Sequence, residues 1–138
     1  IAPTQQVAAV RATEGGREGI RAFFAAQYAG LVPAPLPLPL AFGGRDAYAA
    51  HLAKMLERAG ARAAIAPESL VPSILKAAEA RPLLFAGTAA DVGALPPSGA
   101  ALPAVCAADL CYIQFSSGST RAPMGVAVTH AALMANAG

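Results

Sequence analysis

A cluster of hydroxyl side chains around one glycine is the part of this sequence best suited to chemistry. Ser116, Ser117, Gly118, Ser119 and Thr120 occupy five consecutive positions. Hydroxyl and backbone N–H groups donate hydrogen bonds, and a glycine lets the backbone curl around a compact ligand, so the cluster could bind phosphate oxygens. The same residue types also dominate ordinary turns. Composition therefore leaves open whether this is an anion-binding loop or a plain hairpin loop.

Two apolar segments flank this cluster, and we call residues 116–124 between them the serine loop. Residues 111–115 are aromatic and β-branched and predict a strand, and residues 126–128 predict another. The nucleotide loop G-x-x-x-x-G-K-[ST] does not fit, because no Lys-Ser or Lys-Thr pair follows Gly118, and the segment has no G-x-G-x-x-G. Residue chemistry alone thus predicts a loop between two strands that could bind an anion.

Residues 112–130 resemble the phosphate-binding loop of the adenylate-forming superfamily, which includes acyl-CoA synthetases, peptide-synthetase adenylation domains and luciferases. The family pattern is roughly Y-T-S-G-S-T-G-x-P-K-G-V, followed by a short strand and a helix that begins near a histidine. The form Ser-Gly-Ser-Thr-Arg-x-Pro is most similar to the fatty-acyl-AMP ligases. Residues 28–33 also resemble the A-G-x-x-x-P stretch found early in these enzymes, with one residue fewer before the proline. The positions in register are residues 117–120, Pro123, Gly125, Val126, Thr129 and His130.

This resemblance implies ATP-dependent activation of a fatty acid or other carboxylic acid. The products would be acyl-AMP and pyrophosphate, and the acyl group would then pass to acyl carrier protein or CoA. ATP and Mg²⁺ are the implied cofactors. No catalytic residue or metal ligand is assigned within this chain. The residues implied to bind the ATP phosphates are Ser116, Ser117, Gly118, Ser119, Thr120 and Arg121.

The sequence departs from the family pattern at two positions. Arg121 replaces the usual glycine and Met124 replaces the usual lysine. Arg121 is either a substitute phosphate cation or a solvated loop arginine. The missing lysine keeps open two alternatives, a non-catalytic α/β domain that binds nucleotide or phosphate and an inactive fragment. His130 either starts a helix or contacts the acyl pocket.

Strands and helices alternate along the rest of the chain, which is typical of an α/β fold with a helix-covered parallel sheet. The resemblance makes this sheet part of the N-terminal domain of an adenylate-forming enzyme. Residues 87–102 lack periodicity and predict a surface linker. The predicted order is a strand at 7–10, a helix at 17–30, a strand from 31 that soon leaves the sheet, a helix at 46–60, a strand at 62–66, a helix at 69–79, a strand at 82–86 and, after the serine loop, a helix at 131–137 that starts from Thr129 or His130.

Apolar periodicity predicts which faces of the helices are buried. On the first helix Ile20, Phe23, Phe24 and Tyr28 are predicted to belong to the core. On the second helix the predicted buried stripe is Tyr48, Leu52, Met55, Leu56 and Ala59, with His51 and Lys54 solvated. Asp46 and Ser69 are predicted to cap the N-termini of the second and third helices, and Gly30 and Gly60 to end the first two.

Composition excludes several other classes of protein. Hydrophobic residues make up 56% of the chain and charged residues 13%, with a net charge of +2, so it can bury a core and has no basic block for nucleic acid. The apolar stretch 30–42 contains four prolines and is too short to span a membrane. Cys106 and Cys111 predict reduced thiols and a cytoplasmic location, without a metal site. We expect residues 1–138 to be part of one domain cut at both ends.

Overall fold

The computed structural model describes residues 7–10, 17–36, 44–115 and 124–138. The strands are β1 (Val7–Val10), β2 (Val32–Pro35), β3 (Ala61–Ile65), β4 (Phe85–Gly87), β5 (Leu110–Phe115) and β6 (Gly125–Thr129). The helices are α1 (Arg17–Tyr28), α2 (Arg45–Ala59), α3 (Val71–Ala77), α4 (Ala89–Gly93) and α5 (His130–Ala137), with a 3-10 turn at Glu68–Leu70 before α3.

The first four strands form the predicted parallel sheet, in the order β2-β1-β3-β4. All three neighbouring pairs run parallel. The connection from β1 to β2 and the connection from β2 to β3 cross the sheet in opposite directions. Since such crossovers are right-handed, α1 and α2 cover opposite faces of the sheet. The predicted α/β fold is confirmed.

The proline-rich strand β2 lies at one edge of this sheet. Pro33 and Pro35 have no N–H to donate. An edge strand tolerates them, because one of its sides needs no ladder of backbone hydrogen bonds. Val32, Pro33 and Ala34 are nevertheless buried. The extended segment predicted after this strand falls largely in residues 37–43, outside the described part of the chain.

The main core lies between the sheet and the helices α2 and α3, and we call it the helix cluster. The predicted stripe of α2 is confirmed, because all five of its residues are buried. Ala64 and Ala66, in and just after β3, are fully or almost fully buried and let the helices pack close to the sheet. The buried members are Leu36, Tyr48, Leu52, Met55, Leu56, Ala64, Ala66 and Ile74.

The face of α1 that packs inward differs from the predicted one. Gly19, Ala22 and Ala26 are buried, whereas Ile20, Phe24 and Tyr28 are 58%, 52% and 69% exposed. Small side chains let this helix approach the sheet closely, so the stripe that packs is the one without bulk. The prediction that these large residues belong to the core is wrong for this chain, with Phe23 half-buried between the two faces.

Two predicted N-terminal caps are also wrong. Gly44 precedes the first turn of α2, and Asp46 lies inside that turn, where it pairs with Lys76 of α3. Ser69 lies within the 3-10 turn, and α3 begins two residues later, at Val71. His51 is half-buried, in contrast to its predicted solvated position. Burial lowers its pKa, and the charge of Lys54 lowers it further.

The segment predicted as a linker contains the short helix α4. Thr88 and Asp91 form a reciprocal capping box. The Thr88 N–H donates to Asp91 Oδ2 at 2.8 Å, and the Asp91 N–H donates to Thr88 Oγ1 at 3.1 Å. A threonine followed three residues later by an acidic residue is a local signature of a helix start.

Replacing Lys76 with methionine is expected to raise the pKa of Asp46 toward its usual value of 3.8. The Lys76 ammonium hydrogen-bonds that carboxylate and holds its pKa below that value. A carboxyl whose pKa is lowered by folding stabilises the fold above its unfolded pKa, and this contribution is lost as the pH falls through the lowered value. A carboxyl-carbon NMR titration measures the change. Asp91, whose pKa is lowered by Thr88 instead, should not move.

Candidate functional site

The predicted site residues Ser116, Ser117, Gly118, Ser119, Thr120 and Arg121 all lie outside the described residues. The structure does describe the two strands that hold the ends of the serine loop. β5 and β6 pair antiparallel, and their last paired residues are Phe115 and Gly125. The loop therefore leaves and re-enters a β-hairpin at neighbouring positions, about 5 Å apart. The two predicted strands are confirmed, and binding by the loop stays a prediction.

Phe115, the last residue before the serine loop, packs against two cores. One is the helix cluster. The second, which we call the hairpin cluster, consists of Val32, Ala34, Ala59, Leu110 and Ile113. Through Phe115 the start of the loop is fixed where the parallel sheet and the hairpin meet.

Gly125, the first residue of β6, lies against the side chains of β5. A β-carbon at this position would lie 3.0 Å from Ile113 Cγ2 and 3.3 Å from Phe115 Cε1. Both distances are tighter than ordinary van der Waals contact. The glycine therefore lets the far end of the serine loop pass close over the residue that anchors its near end.

Replacing Gly125 with alanine is expected to destabilise the protein by about 1 kcal/mol, the lower end of the cost of overpacking. The added methyl group would also push Phe115 or β6 aside. Thermal unfolding measures the loss of stability. Gly93→Ala is the matched control, because a β-carbon there meets nothing within 4 Å. Equal stability of the two variants would contradict the expectation.

The backbone N–H groups at the start of α5 donate hydrogen bonds to other groups of the protein. Thr129 Oγ1 accepts from the Ala132 N–H at 3.1 Å, as predicted for a helix that starts at Thr129 or His130. The His130 and Ala131 N–H groups donate to the carbonyls of Asp109 and Ala107, at 3.1 and 2.9 Å. These three donors of the helix end are therefore occupied, which makes it a poor anion site.

The side chain of His130 is half-buried and faces an apolar cleft of about 420 Å³ between α1 and the segment before β5. Its neighbours around the cleft are Phe24, Gln27, Tyr28, Leu102, Pro103 and Val105. Both predicted roles of His130 remain open, because its backbone starts α5 and its side chain reaches a cleft. No sequence pattern indicates that residues of α1 and 102–105 meet there.

One polar contact joins α1 to the hairpin. Gln27 Nε2 donates to the Cys111 carbonyl oxygen and to Cys111 Sγ, both at 3.0 Å. Phe23 packs beside it on Tyr112, with ring centroids 6.0 Å apart. Periodicity could not single out Gln27, because it pointed to the apolar residues around it.

The two cysteines are free thiols, Cys106 exposed and Cys111 buried. Burial raises the pKa of Cys111, and the hydrogen bond from Gln27 partly offsets this. Within the described residues no group of three or more His, Cys, Asp or Glu side chains could hold a metal ion. The same part of the chain contains no helix long and apolar enough to cross a membrane.

Comparison with known proteins places this chain in a known family. The profile of the family described as AMP-binding enzyme matches residues 12–138. A Caulobacter vibrioides protein named “putative acyl-CoA synthetase” is 48% identical over 131 residues, which is 94% of this chain and 22% of the relative.

Solved structures agree with the same fold. One from work on fatty acyl-adenylate ligases of E. coli and L. pneumophila superposes with a TM-score of 0.83 and 37% identity, covering 99% of this chain and 24% of that one. An L. pneumophila fatty acyl-adenylate ligase in complex with acyl adenylate and pyrophosphate gives 0.70 at 18% identity, over 98% and 23%. The latter shows likeness of fold alone. The chain thus spans about a quarter or less of the length of these relatives.

Proposed function

Since this chain belongs to the AMP-binding enzyme family, we propose that the protein of which it is part activates a fatty acid or other carboxylic acid with ATP. A carboxylate oxygen attacks the α-phosphorus of ATP, the bond from that phosphorus to the bridging oxygen breaks, and pyrophosphate leaves. A thiolate of acyl carrier protein or CoA then attacks the acyl carbon, and AMP leaves. The observation that carries the proposal is the 37% identity to the fatty acyl-adenylate ligase structure over 99% of this chain.

The serine loop is proposed to bind the β- and γ-phosphates. Ser116, Ser117, Ser119 and Thr120 supply hydroxyl donors, and Gly118 lets backbone N–H groups approach the phosphate oxygens. Arg121 is proposed to supply the cation that the missing lysine would have provided. Phosphoryl chemistry of this kind depends on positioning and charge stabilisation. Phe115, packed against two cores, fixes the end of the strand from which the loop begins.

Mg²⁺ is proposed as the second cofactor. Bound to ATP, it would neutralise charge on the phosphates. The described residues contain no cluster of metal ligands, so we assign Mg²⁺ no protein ligand among them. A cytoplasmic location is part of the same proposal and is supported by the two free thiols.

A non-catalytic nucleotide-binding domain is the alternative, and one observation favours it. Met124 is 62% exposed at the end of the serine loop, where the family pattern has a lysine. A thioether carries no charge and cannot stabilise a phosphate. An inactive fragment would follow if the loop also failed to bind nucleotide.

ATP–pyrophosphate exchange by the full-length protein tests the proposal. A panel of fatty acids is offered without CoA, and label appears in ATP only if adenylation is reversible on the enzyme. Exchange that depends on a fatty acid is the expected result, and adding CoA or carrier protein then identifies the acceptor. A folded protein that binds ATP but does not exchange would favour the non-catalytic alternative, and Met124→Lys would test whether that residue is the cause.

A further inference from the structure

The hairpin that holds the serine loop contains a β-bulge at Cys111. Leu110 is paired with Thr129, and Tyr112 is paired with Val128. β5 therefore advances two residues while β6 advances one, so Cys111 is the extra residue of the bulge. Bulges of this kind leave one residue unpaired, bend the strand and re-aim the side chains beside it.

The bulge explains how this strand packs. Side chains of a regular strand alternate between faces, so Leu110 and Ile113, three positions apart, would point to opposite sides. Both are nevertheless buried in the hairpin cluster, with Phe115 packed against it. The extra residue at Cys111 changes the alternation by one and brings all three onto one face.

The side chain of Gln27 supplies the hydrogen-bond donor for the backbone carbonyl at this bulge. Its Nε2 donates to the Cys111 carbonyl oxygen and Sγ at 3.0 Å each, and Cys111 is only 1% exposed. A buried carbonyl without a donor would cost about 1–3 kcal/mol. An irregular strand position is thus matched by a donor from a helix 84 residues away in the chain.

We propose that Gln27 is a positioning residue that holds the bulge at Cys111 and thereby sets the register of the hairpin that carries the serine loop. A one-residue change of register reverses the face of every side chain that follows. Ile113 and Phe115 would then leave their cores, and the start of the loop would move with them. The effect on catalysis rests on the proposed function, whereas the effect on register does not.

The first test replaces Gln27 with methionine in the full-length protein, since methionine keeps the length of the side chain but donates no hydrogen bond. We expect kcat/KM for ATP in the exchange reaction to fall about tenfold, through a raised KM for ATP, because one buried acceptor loses its donor. KM for the carboxylic acid should rise less than KM for ATP, although Gln27 also lines the cleft beside His130. Glu18→Met, at an exposed position of the same helix, is the matched control and should behave as the wild type.

The second test measures the register without relying on activity. The buried thiol of Cys111, with its raised pKa, should resist alkylation in the native wild type, whereas loss of the bulge should expose it. We expect about tenfold faster labelling of Cys111 in Gln27→Met. Cys106, resolved by peptide mapping, is the internal reference.

A third variant, Gln27→Glu, separates positioning from packing by its pH profile. An ionised carboxylate can only accept and would face the Cys111 carbonyl, whereas the protonated acid donates to it. Partial burial raises the pKa of the introduced glutamate, so a larger fraction is protonated as the pH falls from about 8 to about 6. The ratio of kcat/KM for ATP in the variant to that in the wild type should therefore rise over this range.

The outcomes are distinct. Wild-type values of both kcat/KM for ATP and Cys111 labelling in Gln27→Met would overturn the proposal. The proposal would also be overturned by two results together. One is an equal loss of kcat/KM for both substrates with a lowered Tm in Gln27→Met. The other is a ratio of kcat/KM for ATP in Gln27→Glu that does not change with pH, since both indicate a merely structural residue. If the wild type shows no exchange, the proposed function fails, and the labelling of Cys111 still decides whether Gln27 sets the register.

Discussion

Replacing Thr120 with alanine is expected to slow adenylation about a hundredfold while leaving the stability of the protein unchanged. Removing one well-placed donor that stabilises phosphate charge costs about 3 kcal/mol of transition-state stabilisation. Thr120 occupies the threonine position of the family pattern. The strands that hold the loop end at Phe115 and begin again at Gly125, so the substitution leaves their contacts in place.

Two variants sharpen this test. Thr120→Ser keeps the hydroxyl and should recover most of the rate. Thr88→Ala also removes a threonine hydroxyl, but that hydroxyl caps α4, so it should lower the Tm slightly without slowing exchange. A Thr120→Ala protein with the wild-type rate and the wild-type Tm would refute the assignment of Thr120 to the phosphate site.

Replacing Gly30 with alanine is expected to destabilise the protein by about 3 kcal/mol, the sum of a left-handed backbone and a steric clash. Gly30 has φ +77°, and a β-carbon there would lie 2.5 Å from Pro103 Cγ. The Gly30 and Leu31 N–H groups donate to the Gln27 and Ala26 carbonyls, at 3.0 and 2.8 Å, which is the glycine-terminated helix end. Pro103 Cγ belongs to a rigid ring, so it cannot turn away from the added methyl group.

Gly60 provides the matched control for this substitution. It ends α2 with φ +63°, but a β-carbon there meets nothing within 4 Å. Gly60→Ala should therefore cost about 1 kcal/mol, the backbone term alone. Urea unfolding of both variants measures the difference, and equal losses of stability would show that Pro103 does not press on Gly30.

Local patterns predicted the regular part of the fold. The stripe on α2, the glycines that end α1 and α2, and the alternation of strands and helices all depend on neighbours in sequence, and each was confirmed. The prediction that failed on α1 depended on residues far apart. The face of α1 is chosen by the small side chains that fit the sheet, and the bulk of Ile20, Phe24 and Tyr28 gave no information about that fit.

The candidate site was predicted in a similar way. The two strands around the serine loop and the helix start at Thr129 follow from local residue types. The contact of Gln27 with Cys111 could not be predicted, because the two residues are 84 positions apart and nothing in either segment points to the other. The one trace of the bulge in the sequence is the spacing of Leu110 and Ile113. They are three positions apart, and a regular strand would not bury both side chains on one face.

The position of Phe115 in both cores has a consequence for how the protein tolerates mutation. The helix cluster and the hairpin cluster share this side chain as a neighbour. Substitutions in contact with a shared partner combine non-additively. A neutral exchange in the helix cluster can therefore decide whether a later exchange at Ile113 is tolerated, so sequence change near this loop depends on the order in which substitutions arrive.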